Sequence, residues 1–249
     1  SAIGHEDVEV VFDASQEGGE VTLPLSAASG FVAEVTDDQG QPMPVKATIY
    51  SADENHPDFG LSSTRTFVEN CVYSVHGRFR CALDPGKYEI YFSRGPEYNS
   101  VSKQLEVDTG RMVTLKVQLE RVVDTTGWVS TELHSHSSPS GDNTSSQLGR
   151  VETLLCEHLE FAPCTEHQRV ESYDDQLQIL AATDQMATCS GMELTGSLLP
   201  INHQNAFPMK WSPHQQDGGG PRISNNPLTQ IARLAMWDDH ADKVVQTNH

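Results

Sequence analysis

The stretch GRFRCALDPGKYEIYFS, residues 77–93, decides the fold of the first half of the chain. Apolar and polar side chains alternate on both sides of Asp84-Pro85-Gly86, a tripeptide typical of a turn. A period of two places one set of side chains on a buried face and the other set in solvent. The stretch therefore predicts a hairpin of two short strands joined by a turn.

Similar short strands lie on either side of this hairpin, and turn residues separate them from one another. No helical periodicity interrupts the segment between Gly30 and Arg121, which is typical of a small antiparallel β-sandwich. We therefore predict an N-terminal antiparallel β-sandwich over residues 1–122. Its further strands are expected at residues 31–35, 45–50, 71–75, 101–107 and 112–119, with 8–12 and 21–25 as candidate edge strands.

The five cysteines form an odd set without a Cys-x-x-Cys spacing, which disfavours a zinc knuckle or a thioredoxin-type motif. If the chain turns back at His76-Gly77, Cys71 and Cys81 face each other across two strands. The pair is then either a cross-strand disulfide or two packed thiols, depending on the redox compartment.

The composition is strongly acidic, with 35 acidic against 16 basic side chains and a formal charge of −19. Such a surface repels phosphate backbones and anionic headgroups, so we predict neither nucleic acid nor a membrane surface as a partner. The sequence contains no run of about 18 apolar residues, so we predict no membrane-spanning helix. The acidic surface and the candidate disulfide favour a periplasmic or secreted location, while the three other cysteines favour a cytoplasmic one.

After Gly127 the pattern changes to strands that alternate with helices. A helix is expected to begin near Thr144 or Ser145, and another at Asn226-Pro227, where asparagine caps and proline opens the first turn. Repeated strand–helix units predict parallel strands with ligands gathered at their carboxyl ends. The remaining elements are expected as strands at residues 128–133, 160–165, 192–195 and 243–246 and as a helix at 173–187.

Residues that commonly bind metal ions follow one another through this second half. His134 and His136 are two residues apart at the end of a predicted strand, so both imidazoles project to one face. Asp142 has an alternative interpretation as an Asx-turn or helix-capping residue. A mixed histidine and carboxylate shell suits zinc, manganese or iron better than magnesium or calcium. The seven candidate ligands are His134, His136, Asp142, His167, Glu193, His203 and His249.

Five short segments of this half resemble, in order, the motifs of the PHP (polymerase and histidinol phosphatase) metallohydrolases, within them the CehA/McbA-like branch. The resemblance covers about residues 127–249 and implies the first part of a distorted (β/α)7 barrel whose C-terminal part is missing. Residues 1–122 resemble a carboxypeptidase regulatory-like, prealbumin-type domain through GFVAEVTDDQGQPMPVKATIY, the 77–93 hairpin and VTLKVQLER. The five segments are TELHSHSSPSGDNT, FAPCTEHQ, GMELTG, INHQNAFPM and VVQTNH.

The PHP resemblance implies a role for each candidate ligand and a total of two or three divalent transition ions. His134 and His136 would bind the first metal, and Glu193 would bridge it to a second. His203 and His249 would complete the second position.

Asp142 and His167 would belong to a third position. Glu166 replaces the family's aspartate and is expected to support the site rather than to bind metal. The late Asp-x-His pair of such enzymes is absent, so we expect a fragment whose site is completed by the rest of the barrel or by a second chain.

The resemblance implies a metal-dependent hydrolase that uses a metal-bridged water or hydroxide on a small-molecule phosphate ester. Arg169 and Lys210 are the candidate partners of the phosphate group. Two alternatives remain open: a carbamate or amide ester hydrolase of the same family, and a non-catalytic binding or assembly protein with an incomplete metal site.

Overall fold

The computed structural model describes residues 3–9, 26–53, 56–196 and 202–248. The predicted strand at 21–25, nearly all of the one at 8–12 and the candidate ligand His249 lie outside these residues. The chain divides into two compact units. The first comprises Ser1–Asp58, Asn70–Arg94 and Tyr98–Val122, and the second comprises Phe59–Glu69, Gly95–Glu97 and Val123–His249.

The first unit consists of short strands, and each lies within about a residue of the position that the alternation predicts. Valine, isoleucine, tyrosine and phenylalanine supply most of their apolar side chains, because branched and aromatic side chains fit a half-buried pleated surface. The strands are β1 Gly30–Thr36, β2 Val45–Ser51, β3 Cys71–Ser74, β4 Arg78–Ala82, β5 Gly86–Ser93, β6 Val101–Val107 and β7 Met112–Gln118.

These strands form two sheets, in the orders β4–β1–β7 and β3–β2–β5–β6. The prediction of a purely antiparallel sandwich is wrong, since β1 and β7 pair in parallel. The predicted hairpin at residues 77–93 is also wrong, because β4 and β5 belong to different sheets and the turn at Asp84-Pro85-Gly86 connects the two sheets. Alternate side chains such as Phe31, Ile49, Ile90 and Phe92 have no exposed surface and form the core.

The expected face-to-face arrangement of Cys71 and Cys81 is wrong for the same reason. Strand β3 pairs with β2, which places Cys71 opposite Thr48, whereas β4 pairs with β1 and places Cys81 opposite Phe31. Both thiols are free in the structure. Burial raises the pKa of Cys81 to about 12, so this thiol stays protonated at neutral pH.

The second unit mixes short strands with helices. Ser146 caps the first helix by accepting a hydrogen bond from the Gly149 N–H, and Asn226 caps the last one, where Pro227 follows as predicted. No helix in the described part of the chain is long and apolar enough to cross a membrane. The elements are α1 Gln147–Cys156, β8 Phe161–Pro163, α2 Asp174–Ile179, β9 Ala187–Cys189, β10 Met192–Thr195, β11 His203–Phe207, α3 Pro227–His240 and β12 Val244–Thr247.

The predicted PHP-type (β/α)7 barrel is wrong, because the described residues form small separate sheets and no α/β barrel. Strands β8 and β9 form a two-stranded parallel sheet, and β10–β11–β12 form an antiparallel one. Residues 128–133 make only an isolated bridge from Thr131 to Phe161. Strands β10 and β11 pair antiparallel because the segment between Thr195 and His203 is too short for the helical crossover that parallel strands require.

Strand β10 is buried on both faces, and this burial positions the site. Met192 and Leu194 project into an apolar cluster with Ala206 and Leu234. Glu193, between them in sequence, projects to the opposite face because side chains alternate along a strand. Antiparallel pairing with β11 brings residues of that strand to the same face.

Candidate metal centre

Six of the seven candidate ligands lie in the described residues, and the fold brings all six together. They form three overlapping groups, and within each group the ligand atoms lie within 4.8 Å of one another. The structure thus contains histidine and carboxylate clusters that could hold a metal ion. The groups are His134, His136 and Glu193; His136, Asp142 and His167; and His167, Glu193 and His203.

Glu193 lies at the centre of the four imidazoles and has no exposed side-chain surface. Its Oε1 atom lies 3.1 Å from Nδ1 of His203 and 3.4 Å from Nε2 of His134. Its Oε2 atom lies 2.7 Å from Nδ1 of His167 and 3.4 Å from Nε2 of His136. Each carboxylate oxygen therefore faces two ring nitrogens.

The loop before α1 carries His136 and is held by a buried carboxylate, Glu166. This carboxylate accepts hydrogen bonds from the Ser137 N–H at 2.9 Å, from the Ser137 hydroxyl and from the Ser140 hydroxyl at 2.5 Å. The Ser140 oxygen also accepts from the His167 N–H at 2.9 Å. Glu166 belongs to none of the three ligand groups and supports the loop, in the role expected from its position beside His167.

The same network assigns the proton on His136. Ser140 has one hydroxyl hydrogen, and it points to Glu166, so the Ser140 oxygen accepts from Nδ1–H of His136 at 3.2 Å. Nε2 of His136 is then unprotonated and lies 2.8 Å from Nε2 of His134 and 3.4 Å from the Glu193 carboxylate. Oε2 of Glu193 is buried and, among the described residues, accepts no hydrogen bond of suitable geometry. A buried carboxylate oxygen that accepts no hydrogen bond fits a bound cation.

The protonation equilibria of the centre favour metal ligation. Burial, followed by the charge of His167, lowers the pKa of His136 and favours the neutral imidazole that a metal requires. Burial acts to raise the pKa of Glu193. The hydrogen bond from Asn248 and the charges of the neighbouring histidines outweigh that effect and lower it. The carboxylate is therefore ionised at neutral pH.

Asp142 is the solvent-facing member of the centre. Its side chain is 54% exposed, and its Oδ2 atom lies 3.0 Å from Nε2 of His167. Partial burial acts to raise the pKa of Asp142, but the hydrogen bond and charge of His167 lower it overall. The alternative interpretation as a helix cap does not apply, because Ser146 caps α1.

Two asparagines that the sequence did not single out orient the central carboxylate. Asn248, after β12, donates to Oε1 of Glu193 at 3.0 Å and to Oδ1 of Asn205 at 2.8 Å. Asn205, fully buried in β11, donates to the Leu133 carbonyl at 2.7 Å. The available signal was an amide two residues after His203 in a buried strand, since strand alternation places both on one face.

Comparison with known protein families finds no match, and comparison with curated proteins finds none either. Among solved structures, the chain is similar to a minor pilin of the Gram-positive pathogen Streptococcus agalactiae, with 14% identity and a TM-score of 0.31. The likeness covers 40% of this chain and 48% of the pilin, so the chain spans about half the length of that protein.

These results correct the family assignments made from short motifs. Neither the PHP metallohydrolase family nor the carboxypeptidase regulatory-like domain is found, and the mostly-β structure has no barrel in its described residues. The hydrolase and phosphoesterase activities that the PHP resemblance implied therefore have no support from a family match. Closely spaced histidines and carboxylates follow from metal chemistry and recur on unrelated folds, so they do not identify a family.

The two basic residues predicted to accompany a phosphate group have other surroundings. Arg169 forms an ion pair with Glu171. Lys210 lines a cavity of about 390 Å³ whose lining includes Trp237 and Asp238 and none of the six ligands. Arg150 instead contacts the ligand loop, the loop before α1 that carries His136, and its Nε donates to the His136 carbonyl at 2.8 Å.

Proposed function

We propose that the second unit binds divalent transition-metal ions at the His134–Glu193 centre and uses them to hydrolyse an ester. The observation that carries the proposal is the buried Glu193 carboxylate, whose two oxygens each face two imidazole nitrogens. This proposal depends on the geometry of the ligands and not on membership of a known family.

The overlap of the groups supports more than one ion position. Glu193 belongs to the group with His134 and His136 and also to the group with His203, so it would bridge two ions. A third position would use Asp142 with imidazoles that the other groups share. Zinc, manganese and iron all suit this mixture of nitrogen and carboxylate ligands. A contribution from His249 stays a prediction.

The chemistry of such ions is Lewis acidity: they lower the pKa of water and stabilise negative charge on an attacked group. The residues of the chain would hold the reacting groups in place. Asp142 stands on the solvent side, where its partly exposed carboxylate would meet an entering substrate or water. Asn248 and Asn205 would keep Glu193 in one orientation.

The preferred substrate is a phosphate ester. The chain carries a net charge of −19 and would repel an anion elsewhere on its surface, whereas bound divalent ions dominate the field close to the centre. Carbamate and amide esters are the alternative, since the same ions would polarise a carbonyl oxygen.

The first test is metal content, measured by elemental mass spectrometry on protein reconstituted with zinc, manganese or iron and then dialysed. We expect at least about one tightly held ion per chain, and less than this would sink the proposal. His214→Gln, which changes an exposed histidine outside the three groups, is the matched control and should keep the full content.

The second test is hydrolysis of bis-p-nitrophenyl phosphate beside p-nitrophenyl and naphthyl carbamate esters. Metal-dependent release of nitrophenol from the phosphodiester supports the phosphate preference. Turnover of the carbamates alone would overturn that preference and keep the hydrolase. Tight metal binding without turnover of any ester would favour the non-catalytic alternative.

A further inference from the structure

The outer face of the four-stranded sheet in the first unit carries an aromatic cluster with a cavity of about 420 Å³. Alternation along a strand reserves this face for polar side chains, yet Tyr50 and Tyr91 are 41% and 38% exposed on it. Thr48 and Glu89 complete the lining of the cavity. These four residues, which we call the tyrosine-pair site, lie in β2 and β5.

Strand pairing determines the arrangement of the tyrosine-pair site. Tyr50 lies directly opposite Glu89, and Thr48 lies directly opposite Tyr91, so the two tyrosines are diagonal neighbours. Their ring centroids are 5.8 Å apart and their planes meet at 85°. The His56 ring packs against Tyr50 at 5.0 Å and 87°. The two tyrosine rings therefore form perpendicular walls beside a carboxylate.

Hydrogen bonds hold these walls in place. The Tyr91 hydroxyl donates to the Glu89 carboxylate, and this bond raises the pKa of Tyr91. Nδ1 of His56 accepts from the Ser51 N–H at 3.1 Å, which keeps the imidazole ring against Tyr50. A site whose side chains are already ordered loses less conformational entropy when a ligand binds.

The geometry selects the charge and shape of a ligand. The face of an aromatic ring carries negative electrostatic potential, and the rings of Tyr50 and Tyr91 line the same cavity. Glu89 adds a full negative charge at the same place. A sugar ring would instead stack on a flat, open ring surface, which rings at 85° do not offer together. Lys87 shares the sheet face, and Glu106 lies directly opposite it on β6.

We propose that the tyrosine-pair site binds an alkylated ammonium group, such as a quaternary ammonium, by cation–π contacts and by charge attraction to the Glu89 carboxylate. The site lies wholly in the first unit and shares no residue with the metal centre. The proposal is therefore independent of the proposed hydrolase.

The test titrates the full chain with choline and, separately, with 3,3-dimethylbutan-1-ol, the neutral carbon analogue of the same shape, and follows binding by NMR. We expect saturable shifts with choline and at least about fivefold weaker binding of the alcohol, because only choline carries the charge. Equal binding of the two probes would show a merely apolar pocket and overturn the proposal. Absence of a saturable choline response would overturn it as well.

Variants locate the binding. Tyr91→Ala and Glu89→Gln should each weaken choline binding by roughly two- to fivefold, the range expected for one exposed cation–π or charge contact. Tyr91→Phe keeps the ring but loses the hydrogen bond to Glu89, so it should bind choline more tightly than Tyr91→Ala does. Choline binding that is unchanged in both Tyr91→Ala and Glu89→Gln would place the ligand elsewhere and contradict the assignment.

Discussion

The two units of the chain differ in what they bury. The first unit hides apolar side chains, such as Phe31 and Ile90, on the inner faces of its sheets. The second unit hides the carboxylates of Glu166 and Glu193 with no exposed surface. Burial of a charge is unfavourable unless partners compensate it, and here hydrogen bonds from two serines to Glu166 and from Asn248 to Glu193 provide that compensation. The proposed function of the second unit depends on these two buried carboxylates, whereas no part of the proposed hydrolase depends on the core of the first unit.

The largest expected effect on stability tests the apolar side of this comparison. Phe92→Ala should lower the free energy of unfolding of the first unit by about 3–5 kcal/mol, because it removes a fully buried ring. All three tryptophans, Trp128, Trp211 and Trp237, lie in the second unit, so urea unfolding followed by circular dichroism and by tryptophan fluorescence separates the two units.

The matched control for Phe92→Ala is Tyr91→Ala, one residue earlier in the same strand and exposed. It should cost less than about 1 kcal/mol, as expected for a surface position. A loss in Tyr91→Ala as large as that in Phe92→Ala would show that the two faces of the sheet contribute equally, and the comparison would then fail.

The central carboxylate tests the other side. Glu193→Gln should weaken metal binding by at least roughly a hundredfold, since loss of a supporting residue alone costs 10- to 100-fold and Glu193 is a proposed ligand. Competition with a chromophoric chelator measures the affinity. His214→Gln should leave it unchanged. If Glu193→Gln bound metal as tightly as the unchanged chain does, Glu193 would not be a metal ligand.

The sequence predicted local structure in the first unit better than it predicted pairing. Alternation placed β5 within a residue of its bounds because it depends only on neighbouring side chains. The parallel pairing of β1 with β7 was missed, since it joins strands from opposite ends of the unit and leaves no local signal. The same limitation made the β4–β5 hairpin and the barrel wrong, because a turn or a helix does not reveal whether the two strands that it connects pair, or in which direction.

For the site, residue chemistry predicted more than fold did. Histidines and carboxylates such as His134 and Glu193 are recognisable as ligands in any fold, and the structure brings the described ones together. Asn205 and Asn248 were missed because an amide reveals its role only through its three-dimensional partners. The tyrosine-pair site was missed because exposed tyrosines are common in strands, and the sequence does not show how their rings are arranged.

A smaller effect is expected at Glu166, the other buried carboxylate. Glu166→Gln should weaken metal binding by roughly 10- to 100-fold, because it removes the charge that holds Ser137 and Ser140 and, through Ser140, the Nδ1–H tautomer of His136. Glu166→Asp keeps the charge and should recover part of the affinity. Ring-nitrogen NMR of His136 in the metal-free protein checks the tautomer directly, and an unchanged tautomer in Glu166→Gln would contradict the positioning role.

The smallest expected effect tests whether stability and chemistry separate within the second unit itself. Ser146→Ala removes the cap of α1, where the hydroxyl accepts from the Gly149 N–H at 3.0 Å and donates to the Thr64 carbonyl. The free energy of unfolding followed by tryptophan fluorescence should fall by about 1 kcal/mol, the usual cost of a lost cap. Ser145→Ala, one residue earlier and outside the cap, should change the free energy of unfolding by less than about 0.5 kcal/mol.

Metal affinity should stay within about twofold in both variants, because neither serine belongs to a ligand group. A large loss of metal affinity in Ser146→Ala would mean that the cap also positions the ligand loop, and packing and chemistry in this unit would then be inseparable.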